Sequence, residues 1–150
     1  MIVLDSDHLS ELQHLDSQRR ARLVKRIERQ RDRTVATTIV SVEEQLRGRL
    51  ATINKRPPGN EQVVPYQELI GLLEFRSCWI VLPFDHVSAR QFHDLKAARI
   101  RIGTMDLKIA SIALAHSATL LSATLREFRQ VPNLSVEDWL VEEGTSHSTE

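Results

Sequence analysis

The chain has 150 residues, enough for one domain that buries about two thirds of its extended surface, and its 20 Lys and Arg balance 20 Asp and Glu to a formal net charge of zero. That balance excludes attraction to nucleic acid through a whole-molecule field, so any such contact must come from local patches. A lone cysteine excludes an intramolecular disulfide framework, and without a basic leader or an apolar run near about 18 residues a cytoplasmic protein is expected.

In chain order, Ile2-Val3-Leu4 is apolar throughout, as in a strand covered on both faces of a sheet. It ends at Asp5-Ser6-Asp7. Two carboxylates there sit where open α/β sheets bind ligands; as turn and cap formers they would also suit the helical pattern that begins at His8. Residues 16–33 form an amphipathic helix with Leu23, Val24 and Ile27 on its apolar side. Its basic residues, Arg22 and Arg26 among them and running on to Arg31 and Arg33, are candidates for phosphate contact, or simply a solvated face. Residues 34–40 are β-branched almost throughout and form the second strand, after which Ser41 is placed to cap a helix over 42–53. Glu43 and Glu44 fall in the first turn of that helix, and Gly48 inside it suggests close packing.

After a Pro- and Gly-containing loop at 54–60, the next helix spans 63–75 with Pro65 in its first turn. It carries more apolar residues than one buried face requires; core packing is the simplest account, a second subunit or partner helix the other. Residues 78–82 form the third strand, with Cys78 read as a buried small hydrophobe, and Asp85 caps a helix over 86–98. His86 and His93 lie two turns apart, about 10 Å, too far to share a metal. Thr104 then caps an almost wholly apolar helix whose first turn holds Asp106, with Arg99 and Arg101 just before it. The fourth strand covers 118–122, residues 134–140 supply a short edge strand and closing segment, and the polar tail 142–150 is expected to fray, leaving 1–141 as one domain.

Strands alternating with helices predict an α/β fold with right-handed crossovers and a mainly parallel sheet. Asp5, Glu44 or Glu43, and Asp106 each follow a strand or open a helix, so all fall on one edge of that sheet. Carboxylates that close repel and raise one another's pKa unless a cation sits among them. Oxygen donors without His or Cys favour Mg²⁺ or Mn²⁺, and such an ion suits phosphodiester hydrolysis. A phospho-receiver domain would need a Lys after its fifth strand, and no Lys follows Lys108; a dinucleotide-binding domain would need glycines after the first strand.

Three segments carry a resemblance. Leu4-Asp5-Ser6-Asp7-His8-Leu9-Ser10, Ser41-Val42-Glu43-Glu44-Gln45-Leu46-Arg47-Gly48 and Ile102-Gly103-Thr104-Met105-Asp106-Leu107-Lys108-Ile109-Ala110 resemble, in this order, the motifs of the PIN-domain ribonucleases, and specifically the VapC-type toxins of toxin–antitoxin pairs. The resemblance covers nearly the whole chain. It implies a three-layer α/β/α sandwich and a dimeric, Mg²⁺- or Mn²⁺-dependent endoribonuclease that is silenced by an antitoxin laid across its site. Asp5, Glu44 and Asp106 would be the metal carboxylates, Ser6 and Asp7 supporting residues, and Glu43 the fallback for Glu44. Arg99, Arg101, Arg22 and Arg26 would meet RNA phosphates. The fourth position departs from the pattern: Thr124 stands where the family has Asn or Asp, with Glu127 able to compensate only if it reaches inward. That departure motivates the alternative of a degenerate PIN module that binds RNA or an antitoxin without cutting.

Overall fold

The computed structural model describes residues 1–30, 34–142 and 144. Five parallel strands, β1 (Ile2–Leu4), β2 (Val35–Thr38), β3 (Ile80–Leu82), β4 (Thr119–Leu121) and β5 (Ser135–Glu137), form one sheet in the order β3-β2-β1-β4-β5. β1 pairs with β2 on one side (Ile2 opposite Val35) and with β4 on the other (Ile2 opposite Thr119). The chain therefore builds outward from β1 in one direction, then crosses back and builds in the other.

Alternation along the central strands feeds two cores. Val3 and Leu120 join Ala36, Val40, Leu95 and the buried side of the helix Thr104–Ala115. Ile2, Leu4 and Leu121 join Leu9, Leu12, Leu23, Trp139 and Leu140 on the opposite face. Both faces of β1 are fully buried, which is why its sequence is a continuous apolar run instead of an alternating one. The helices α1 (Ser6–Glu11), α2 (Gln18–Arg29), α3 (Ile39–Asn54), α4 (Val63–Ser77), α5 (His86–Ala97), α6 (Thr104–Ala115) and the short α7 (Leu125–Phe128) cover the two faces, giving the three-layer α/β/α sandwich. Among the described residues no helix is long and apolar enough to cross a membrane.

Several local expectations are corrected. β2 stops at Thr38, whose hydroxyl accepts from the Ser41 N–H at 3.0 Å, so Thr38 and not Ser41 caps α3. The helix starts at Ile39, and Glu43 and Glu44 lie beyond its first turn. α6 has Gly103 at its cap position and no side chain caps it; Thr104 is its first residue. Gly48 is exposed, and a Cβ there would meet nothing within 4 Å, so close packing is not its reason. α4 continues through Ser77, leaving Cys78 exposed at its end and not buried in β3. On α4, Val63, Val64, Tyr66, Ile70 and Leu73 are each at least half exposed, so core packing does not account for that helix's apolar surplus. α2 ends at Arg29, while Arg31 and Arg33 lie outside the described residues, as does most of the tail expected to fray. Asp85 caps α5 as its sequence predicts, through the Ser88 N–H at 2.9 Å.

Candidate functional site

The reversal of strand order between β1 and β4 leaves a crevice at their carboxyl ends, the place where open α/β sheets bind ligands. Asp5 stands in it. Its N–H continues the ladder onto the Leu121 carbonyl (2.9 Å), and its side chain is only 5% exposed. Oδ1 accepts from the Ser6 N–H at 2.7 Å and Oδ2 from the buried Ser122 hydroxyl at 2.8 Å. Ser122 also accepts from the Thr124 N–H at 3.1 Å, tying the loop after β4 to the Asp5 carboxylate. Burial, with the charge of Asp7 beside it and Glu44 further off, pushes Asp5 up to about 7 from 3.8, despite the two hydrogen bonds that oppose it.

The other acids come from three directions. Ser6 Oγ donates to Glu44 Oε2 at 2.5 Å, joining α1 to α3 and fixing Glu44 toward the crevice. Its neighbour Glu43 instead pairs with Arg47 at 2.6 Å on the exposed side. Asp106, half-buried at the start of α6, is raised by burial and then by the charges of Glu44, Glu127 and Asp7. A helix N-terminus would favour its ionised form, yet burial and these neighbours outweigh that expectation. The charge of Glu127 on α7 is thus felt at Asp106. Asp7 behaves in the opposite sense: burial would raise it, but hydrogen bonds from the His8 ring and from the Ala123 and His8 N–H groups hold it below its ordinary value.

Asp5, Asp7, Glu44, Asp106 and Glu127 therefore share one electrostatic neighbourhood at the sheet edge. Among the described residues no three His, Cys, Asp or Glu side chains form a closed ligand set. The donors nonetheless fit a hard divalent cation by chemistry: they are all oxygens, and burial first and then their mutual charge raise Asp5 and Asp106, a penalty that a cation would relieve.

Among the described residues none of the predicted cationic residues forms an ion pair with these acids. Arg99 and Arg101 are exposed on the α5–α6 loop, their neighbours Ile100 and Ile102 packing inward, and among the described residues neither pairs with Asp106. Arg22 and Arg26 hold the C-terminal segment, Arg22 through Glu142 at 3.5 Å and Arg26 stacked 4.7 Å over the Trp139 ring. The residue that sequence reasoning missed is His8, fully buried, with Nδ1 at 2.8 Å from Asp7 Oδ1 and Nε2 accepting from the Trp139 N–H at 3.0 Å. Its only local signal was its place directly after two strand-end carboxylates.

A family model for the PIN domain matches residues 2–134. Ribonuclease VapC2 of Rickettsia felis is 44% identical over 46 residues, which is 31% of this chain and 34% of that protein. Ribonuclease VapC1 of the same organism is 35% identical over 65 residues, 41% of this chain and 48% of that protein. These alignments thus span a third to a half of the length of the curated relatives. The structure of VapBC2 from Rickettsia felis, bound to a DNA fragment from their promoter, is similar to this fold with a TM-score of 0.69 at 25% identity, covering 93% of this chain and 99% of that one.

Proposed function

Because the chain belongs to the PIN domain family, we propose that it is a metal-dependent endoribonuclease toxin that hydrolyses RNA phosphodiester bonds with carboxylate-bound Mg²⁺ or Mn²⁺. The observation that carries this reading is the convergence of Asp5, Glu44 and Asp106, with Asp7 and Glu127, on the switch point between β1 and β4. When bound, a divalent cation supplies an activated water and neutralises charge on the phosphodiester. Asp5, Glu44 and Asp106 would hold it. Ser122 and Ser6 keep Asp5 oriented, and Ser6 does the same for Glu44, so neither carboxylate has to reorganise to serve as a ligand. Arg99 and Arg101, exposed at the approach to α6, would meet the RNA backbone, and Arg22 and Arg26, against Glu142 and Trp139, would offer a separate phosphate contact. The relatives named ribonuclease support RNA as substrate, and the VapBC2 assembly supports a cognate antitoxin as partner. The same reading makes the protein a cytoplasmic homodimer.

The test is cleavage of a structured RNA with Mg²⁺ or Mn²⁺. Asp5→Asn and Asp106→Asn should each lose more than about 100-fold in rate, since even outer partners of metal ligands cost 10–100-fold. Metal-dependent cleavage that survives both substitutions would sink this function. Thr124 favours a second reading, a PIN module that binds RNA or an antitoxin without cutting. It predicts RNA retention with no cleavage that these variants abolish.

A further inference from the structure

Thr124 places a hydroxyl where a carboxylate or carboxamide is expected after the fourth strand, and its N–H is already used by Ser122. One residue earlier the loop makes a different contact. The Ala123 N–H donates at 2.8 Å to Oδ2 of Asp7, a residue 116 positions away in sequence. The acid from the β1 end is therefore docked on the very loop that lacks one.

Asp7 is held unusually well for a partly open side chain. Oδ1 accepts from the His8 N–H at 2.6 Å and from His8 Nδ1 at 2.8 Å, while Oδ2 has only Ala123. A carboxylate offers about four acceptor sites, so one lone pair of Oδ2 stays unused, on a side chain 31% exposed. His8 is fully buried, and because Nε2 accepts from the Trp139 N–H at 3.0 Å, the ring hydrogen is on Nδ1, facing Asp7. Asp138 Oδ1 lies 3.4 Å from the same Nε2. A backbone donor near the end of the fold thus sets the tautomer of a ring that orients an acid at its beginning.

We propose that Asp7 supplies the fourth acid of the cation site in place of Thr124, and that His8, anchored on Trp139, is its positioning residue. The inference rests on the metal-dependent nuclease reading. It differs from a purely structural role for His8, a clasp for the C-terminal segment, in what happens to cation binding.

Direct Mn²⁺ titration of the full chain, followed by the electron paramagnetic resonance signal of free Mn²⁺, separates these. Asp7→Asn should weaken Mn²⁺ binding by about 10-fold or more. Thr124→Asp should gain at least about 5-fold more affinity in the Asp7→Asn background than in the wild-type one, because only there is the acid missing. His8→Leu should lose about 10-fold, and His8→Asn, whose amide N–H replaces Nδ1–H toward Asp7, should recover most of that loss although the Trp139 anchor is gone. If His8→Leu does not fold, the Asp7 and Thr124 cycle still decides. Unaltered Mn²⁺ affinity in Asp7→Asn, or equal gains from Thr124→Asp in both backgrounds, overturns the inference. So does His8→Asn binding as weakly as His8→Leu, for the positioning role. Asp5→Asn separates the two levels: lost Mn²⁺ binding there with none lost in Asp7→Asn overturns this inference alone, whereas unaltered binding in Asp5→Asn overturns the nuclease reading and this inference with it.

Discussion

In EDTA at pH 8, Asp5→Asn should raise the unfolding free energy by up to about 4 kcal/mol. The carboxyl stands near 7 in the folded protein against 3.8 ordinarily, and each unit is worth about 1.4 kcal/mol. The sign follows from proton binding. Between about pH 4 and pH 7 the native state keeps the Asp5 proton while the unfolded chain releases it, so stability is fully present below the unfolded value and is lost as pH rises through the folded one. Asn carries no such charge and escapes that loss. Urea unfolding at pH 5 and pH 8 checks it: the wild type should weaken over this interval and Asp5→Asn should weaken much less. Equal slopes for the two proteins would show that burial at the end of β1 does not penalise the charge. Under the proposed function the same substitution would also remove a cation ligand, so the gain in stability and a loss of cleavage would have one origin.

Phe128→Ala should cost about 3–5 kcal/mol, the range for emptying a buried aromatic site. Phe128 is fully buried in the core built from Leu120, Ile112, Ala113 and Val131, and is the largest side chain so enclosed. The effect should reach the site as well. α7 has only four residues, far too few to stand as a helix alone, and Phe128 is its one buried residue. That side chain therefore anchors α7, and with it Glu127, while the Ser122 and Asp7 hydrogen bonds hold the loop before it. Chemical denaturation measures the cost; a loss under about 1 kcal/mol would mean that Phe128 does not anchor α7.

What was legible in the sequence was whatever depends on neighbours along the chain. Ile2-Val3-Leu4 reads as a doubly covered strand because each residue is apolar whichever core it enters, and the alternation of strands and helices is enough to place Asp5 and Asp106 on one edge. Motif order then pointed to the PIN family, which the match over residues 2–134 bears out. Caps were less legible where two candidates stood close together. Thr38 and Ser41 both suit a helix start, and only the Ser41 N–H donating to the Thr38 hydroxyl, at 3.0 Å, settles which residue caps the helix. Gly103 and Thr104 posed the same choice. Cys78 was misplaced because α4 outlasts its apolar pattern and runs on through Ser77.

The remainder depends on contacts between distant residues. Nothing local to Asp7 announces the Ala123 N–H, and nothing local to His8 announces Trp139, 131 positions away. Position along the helix left Glu43 and Glu44 open, and only the motif resemblance preferred Glu44; their directions come from Ser6 on α1 and Arg47 one turn along α3. The exposed apolar surface of α4 likewise needed the fold to show that its excess is not core.

Whether Asp5, Glu44 and Asp106 serve one divalent cation is tested most directly by thermal unfolding at pH 8 with increasing Mn²⁺, for the wild type, Asp5→Asn and Asp106→Asn. A ligand that binds only the folded state stabilises it by about 2.7 kcal/mol at 100 times its Kd. The wild-type Tm should rise with Mn²⁺ while both variants stay flat. Equal Mn²⁺-dependent shifts in all three proteins would contradict a cation held by these carboxylates.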